Sequence, residues 1–206
     1  MAYKKNLERA LLLQSMAQTG LAFSSDPFDI ERYERIRSIA AEMASEGCDN
    51  SQEEIEACYA MEGGYATPKV DVRGVVFQEG KILLVKERAD GLWTLPGGWA
   101  DVGDTPSEAV EREVLEESGF QTHASKLLAV LDRNRQGHPF DPFHIYKLFF
   151  LCEITGGEAA PGDETSEAGF FSEGNLPEMS VQRVMPAQVE LMFEHFRHPE
   201  RATDFD

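Results

Sequence analysis

The residues able to do chemistry crowd into one stretch. Leu95-Pro96-Gly97-Gly98 leads, after a short loop, into the segment from Pro106 to Ser118, which holds Glu108, Glu111, Glu113, Glu116 and Glu117 against a lone cation, Arg112. On a helix Glu113, Glu116 and Glu117 stand at i, i+3 and i+4 and share a face, where each like-charge pair costs a few tenths of a kcal/mol. Glu116 and Glu117 also occupy the last turn, where the helix dipole disfavours anions by ~0.3–1 kcal/mol. A solvated acidic face is the ordinary explanation of such a run. A helix built for stability alone would place Lys or Arg in that turn, so the conflict points to function. Converging carboxylates suit a hard divalent cation such as Mg²⁺ or Mn²⁺, and Gly97-Gly98 would let backbone carbonyls approach the same ion.

The elements that position these groups are legible around them. Thr105 is a natural N-cap, Pro106 fits the first helical position, Glu108 completes a capping box, and Gly119 is a stop signal. Upstream, Val70, Val72, Gly74 and Val76 alternate with Asp71, Arg73, Val75 and Phe77, Gln78 to Lys81 forms a hairpin turn, and Ile82-Leu83-Leu84-Val85 is its return strand. Further strands are expected at Lys126–Asp132, His144–Ile154 and Glu167–Phe171, with a closing helix from Pro186 through Phe196. Arg73, on the first strand, and Arg88, after the second, are phosphate-clamp candidates, because a guanidinium suits bidentate phosphate contact. A surface ion pair is the alternative for each. His138 and His144 have no partner at ligand spacing, and Cys152 amid Leu148-Phe149-Phe150-Leu151 reads as core.

The first third of the chain is different in kind. Helices are expected from Lys4 to Gln18 with Gly20 as the C-cap, from Pro27 to Ser45, and from a Ser51/Glu54 capping box through Tyr59. Gly63-Gly64 ends the run and Thr67-Pro68 is a linker. The expected organisation is a helical module over residues 1–66 and an α+β layered domain over residues 67–206.

Composition narrows the setting. With 37 acidic and 19 basic residues, the net charge of -18 argues against broad electrostatic binding of extended nucleic acid or an anionic membrane. Three cysteines without C-x-x-C spacing argue against a disulfide framework or zinc ribbon. No apolar stretch approaches a membrane span and the N-terminus is a poor signal peptide, so the expectation is a cytoplasmic protein.

At the acidic segment a resemblance becomes specific. Gly98, five residues, Asp104, seven residues and Arg112-Glu113-Val114-Leu115-Glu116-Glu117-Ser118-Gly119-Phe120 resemble the Nudix hydrolase signature G-x5-E-x7-R-E-U-x-E-E-x-G-U, with U aliphatic or aromatic. Asp104, one methylene short, stands where the signature has Glu. The preceding Trp93-Thr94-Leu95-Pro96-Gly97-Gly98 looks like the family's entry to this box. The resemblance implies an α/β/α sandwich with a mixed sheet, and divalent-metal-dependent hydrolysis of a nucleoside diphosphate linked to another group, by attack of water on phosphorus. Carried over by position, Glu116, Glu117 and the Gly98 carbonyl would be metal ligands. Glu113 would be a ligand or the general base, and Arg112 its orienting partner. Glu164 is a second base candidate, because some members draw their base from a late loop.

The N-terminal helices resemble those of a Nudix subgroup through Ala17-Gln18-Thr19-Gly20-Leu21-Ala22-Phe23 and Asp29-Ile30-Glu31-Arg32-Tyr33-Glu34. Its members resemble CDP-choline and ADP-ribose pyrophosphatases. The resemblance implies CDP-choline first and ADP-ribose second. ADP-ribose enzymes often carry a Pro about fifteen residues past the box glycine, where this chain has Asn134. A choline headgroup calls for aromatic faces, for which Phe23, Phe28, Tyr33, Tyr59, Tyr65 and Trp99 are available. The module would serve a homodimer interface or substrate contact. A reading of another class is a nucleotide sensor or partner-binding protein with a weakened site. Trimming of RNA ends is disfavoured by the charge.

Overall fold

A computed structural model describes residues 2–206, with side chains from residue 5 onward. The chain divides into two units, residues 1–68 with 140–144, and residues 69–139 with 145–206.

The first unit is helical: α1 (Ala2–Phe23), α2 (Pro27–Ser45) and α3 (Gln52–Ala60). Asp26 caps α2 by accepting the Phe28 and Asp29 N–H groups, and the Ser51/Glu54 capping box opens α3 with both of its bonds in place. Small residues set the packing, with Ala10, Ala40, Ala41 and Ala44 gathered around Ile55 and Tyr59. The expected stop at Gly20 is overridden. The helix runs on to Phe23 because Gly20 lies beneath the Tyr33 ring, where any side chain would collide. Tertiary packing outweighs the ~1 kcal/mol propensity penalty of an internal glycine.

The second unit contains β1 (Lys69–Val75), β2 (Phe77–Gln78), β3 (Lys81–Glu87), β4 (Trp93–Thr94), α4 (Pro106–Ser118), β5 (Phe120–Asp132), β6 (Ile145–Gly157), β7 (Thr165–Phe171), α5 (Pro186–Arg197) and β8 (Asp204–Phe205). They form two sheets rather than one. The first is mixed, in the order β1-β6-β5-β8, with β1 parallel to β6 and β5 antiparallel to it. The second is antiparallel, with β3 pairing β2, β4 and β7. Strand alternation sends Val72 and Leu83 into the core beneath α4, with Val110, Val114 and Phe150. It sends Val75, Ile82 and Leu84 into the core beneath α5, with Val189, Met192 and Phe193. Each buried aliphatic side chain contributes about 1.5–3 kcal/mol. The outcome is the expected α+β sandwich. Two strands are longer than their apolar patterns indicate: β5 begins at Phe120, directly after the αL stop at Gly119, and β6 reaches Gly157. Their polar starts and ends are held by ladder bonds that hydropathy does not register.

Candidate active site

Local sequence fixes α4 at both ends. The Thr105 hydroxyl accepts the Glu108 N–H, the Glu108 carboxylate accepts the Thr105 N–H at 2.9 Å, and Gly119 at φ 77° turns the chain out. Gly74 on β1 has no room for a side chain beside Val114, which brings α4 close to the strand. On the same strand the Gly74 N–H donates to Pro96 O and the Val72 N–H to Gly98 O, each at 2.8 Å, while the Ala100 N–H donates to Val70 O at 3.0 Å. The glycine loop is therefore zipped to β1 on either side of Gly97. That residue sits at φ 141°, and a side chain there would run into Val72 O. Its N–H points the other way and donates to Glu117 Oε2 at 2.9 Å. A side chain at Gly98 would meet Glu113 Oε2 at 2.8 Å. Two carboxylates, those of Glu113 and Glu117, thus face the double glycine.

Their environments differ. Burial pushes the Glu117 carboxyl up to about 8, against the lowering effects of Arg73 and the Gly97 N–H. Burial also raises Glu113, opposed by Arg112. Arg112 is a hub: it meets Glu113 at 2.7 Å and Glu116, Asp104 and Asp101 at 3.3 Å each. Among the described residues no three His, Cys, Asp or Glu side chains are gathered closely enough to hold an ion as placed. The donor set still fits Mg²⁺, which takes one or two carboxylates and completes its shell with water and substrate phosphate oxygens. A half-buried and a buried carboxylate beside a glycine loop provide that.

Two expected roles need correction. The Gly98 carbonyl is taken by the Val72 N–H, so it faces the strand and not the carboxylates. Arg73 is not a surface phosphate clamp. It is 4% exposed, with Nε and Nη2 on the two oxygens of Asp71 at 2.8 and 2.7 Å and Nη1 on Leu95 O at 3.0 Å. Arg88 is exposed, and its Nε donates to Asp163 O. The loop that carries Glu164 docks on the end of α4. The Thr165 hydroxyl donates to Glu117 O at 2.7 Å, the Ala160 N–H to Ser118 O, and the Arg88 N–H to Glu164 O. Glu164 is thereby brought to the same end of α4 as Glu116 and Glu117. Trp99, 47% exposed, follows Gly98 and bridges Asp71 through its backbone. The shorter Asp104 still reaches Arg112 Nε. Cys152 lies in the core, and His138 is taken up by Val181 O and Gln188.

Residues that motif reasoning passes over also build the site. Thr165 ties the late loop to α4, and the Gly97 peptide, not that of Gly98, meets Glu117. Asp71 on β1 anchors Arg73 and is itself bonded by Lys147 of β6. The available signal is the pair of charged residues one strand step apart, Asp71 and Arg73, inside an otherwise apolar strand.

Comparison with known proteins agrees with this geometry. Residues 4–59 match a family model described as a UDP-X-like N-terminal oligomerisation domain, and residues 67–190 match the NUDIX domain. A putative ADP-ribose pyrophosphatase of Bacillus subtilis, YjhB, is 47% identical over 98% of this chain and 97% of its own length. A crystal structure of a UDP-X diphosphatase superposes with a TM-score of 0.65 at 34% identity, covering 100% of this chain and 98% of that one. The crystal structure of an ADP-ribose pyrophosphatase from Streptococcus suis gives a TM-score of 0.62 at 42% identity over 68% of this chain and 100% of that one. With the signature helix, the sandwich and the domain match in accord, the chain belongs to the Nudix hydrolase family, as a pyrophosphohydrolase acting on nucleoside-diphosphate-linked substrates.

Proposed function

We propose that this chain hydrolyses the pyrophosphate bond of a nucleoside diphosphate joined to a second group, with ADP-ribose the first substrate to test. The observation that carries the reading is the placement of Glu113 and Glu117 on the Gly97-Gly98 loop. Glu113 and Glu117 would hold Mg²⁺ or Mn²⁺ beside the glycine loop, with Glu116 as a further ligand from the same helical face. When bound, the cation supplies charge neutralisation for the diphosphate and a more acidic water. Arg112 orients Glu113, and Glu113 or Glu164 takes the proton from the attacking water. Trp99 offers an exposed ring beside Gly98 for a base or sugar face, and exposed Arg88, hydrogen-bonded to the loop of Glu164, would meet phosphate. ADP-ribose is placed first because a relative matching almost the whole chain carries that name.

CDP-choline is the second reading, carried by the N-terminal helices, which resemble those of a subgroup whose members resemble CDP-choline pyrophosphatases. The same unit is the expected homodimer interface. No residue of α1 from Ala10 to Phe23 is charged, and Leu12, Met16 and Phe23 on it are 56%, 54% and 73% exposed. Free thiols at Cys48, Cys58 and Cys152 fit a reducing compartment such as the cytoplasm.

The test is a substrate panel with Mg²⁺, products resolved, on wild type and Glu116→Gln. AMP with ribose 5-phosphate supports the first reading, and CMP with phosphocholine the second. No metal-dependent turnover on any conjugate refutes both. Full activity in Glu116→Gln removes that residue from the metal site. Sedimentation of wild type and Phe23→Glu tests the interface, with a dimer expected for the first and a monomer for the second.

A further inference from the structure

Behind the glycine loop lies a buried ionic cluster that no step above uses. Asp71 and Arg73 are one strand step apart on β1 and so share a face. Lys147 on β6 is in direct register with Asp71. The side chains of all three are almost inaccessible, and Lys147 Nζ meets Asp71 Oδ1 at 2.6 Å. Ion pairs this deep are poor stabilisers, because desolvation offsets the attraction, and apolar replacements of equal volume are often as stable. Their presence calls for another reason, and the geometry offers one. Both Asp71 oxygens are used by Arg73 Nε and Nη2, which turns Nη1 to the start of the glycine loop, onto Leu95 O at 3.0 Å and, more weakly, the Thr94 hydroxyl at 3.5 Å. Leu95 begins the segment whose next two even-numbered carbonyls, Pro96 O and Gly98 O, are held by β1 amides. The peptide left facing α4 is that of Gly97, on Glu117.

The geometry points to Asp71 and Lys147 as positioning residues for the ion cradle. Lys147 fixes Asp71, Asp71 fixes the Arg73 fork, the fork fixes the Leu95 carbonyl, and the loop so held presents Gly97 to Glu117. The inference rests on the reading of Gly97 and Glu117 as part of that cradle. A fork is needed here and not just a charge, because a planar guanidinium can satisfy two carboxylate oxygens and a carbonyl at once, which an ammonium cannot.

The test separates positioning from charge and from folding. Asp71→Asn, Arg73→Lys and Lys147→Met are compared with wild type by thermal melting, by hydrogen exchange of the Gly97 amide in EDTA, and by Mn²⁺ titration of the protein without nucleotide. In variants that melt cooperatively, the Gly97 amide is expected to exchange faster. Mn²⁺ affinity is expected to fall about 10–100-fold in Asp71→Asn and Arg73→Lys, the range typical when groups that orient metal ligands are lost. Lys147→Met keeps the Asp71–Arg73 fork and is expected to show the same changes at smaller size. Wild-type exchange and wild-type Mn²⁺ affinity in folded Arg73→Lys would show that charge alone suffices and would overturn the proposal. If Asp71→Asn and Arg73→Lys do not fold, wild-type behaviour in Lys147→Met overturns it. If wild-type protein fails to bind Mn²⁺, the cradle reading falls, while the exchange measurement still decides whether the cluster positions Gly97.

Discussion

Helices α1 and α4 solve opposite problems. In α4 every local signal agrees on where to start and stop, with a two-way capping box, Pro106 at the first position and Gly119 in the αL conformation. Its interior then violates helix electrostatics, placing Glu113, Glu116 and Glu117 on one face. In α1 the first turn has no acidic residue, the last turn no basic one, and a glycine lies inside. Its stretch from Ala10 to Phe23 carries no charge at all. Local sequence thus holds α4 in place so that it can tolerate an unfavourable charge pattern, whereas α1 depends on packing. On the proposed reading, one helix serves chemistry and the other serves contact.

The sharpest test of the difference is Glu117→Gln. Turnover should fall on the order of 10³-fold, because a carboxylate proposed to bind the cation is lost, while the amide oxygen can still accept the Gly97 N–H and the fold persists. Steady-state kinetics beside a thermal melt decide it, and retained turnover would remove Glu117 from the chemistry. A second effect follows from burial. The folded Glu117 pKa is raised from 4.5 to about 8, so the folded state of the metal-free protein binds more protons than the unfolded state between those values. Its contribution is fully present below about pH 4.5 and is lost as pH rises through 8, of order 5 kcal/mol. Urea melts in EDTA at pH 6 and pH 8 should show this loss, and Glu117→Gln should flatten it. An unchanged slope in the variant would show that another group carries the dependence.

In α1 the telling change is Gly20→Ala. Helix propensity alone predicts a gain of about 1 kcal/mol, but the added methyl must displace the Tyr33 ring. A net loss of about 1–3 kcal/mol is expected, as for overpacked sites, and a stabilised variant would show that packing does not govern this helix. The smallest effect belongs to the cap of α4. Thr105→Ala should cost about 1 kcal/mol, read as a lower urea midpoint with the slope unchanged. Should it cost nothing, the local signals are redundant with the packing of Val110 and Val114.

Much of the architecture is legible in the residues alone. The boundaries of α4, the three helices of the first unit and the layered α+β plan follow from caps, glycines and periodicity, all short-range. The signature residues name the chemistry because their spacing along one helix fixes which carboxylates share a face. The continuation of α1 through Gly20, and the full lengths of β5 and β6, escape such reading for one reason. A residue's own preference is weak beside a ring packed on it or a ladder bond made to it.

The sequence by itself determined the signature helix, its acidic face and the family to which the chain belongs, since those rest on residues and contacts within a short stretch. Only the tertiary structure decided how backbone and side-chain groups divide their bonds. It committed the Gly98 carbonyl to Val72 and turned the Gly97 peptide to Glu117. It also withdrew Arg73 from the surface to Asp71, with Lys147 brought in from a strand far along the chain. Each acceptor has few lone pairs and each donor one direction, so which partner wins depends on strands that meet only when the sheet forms.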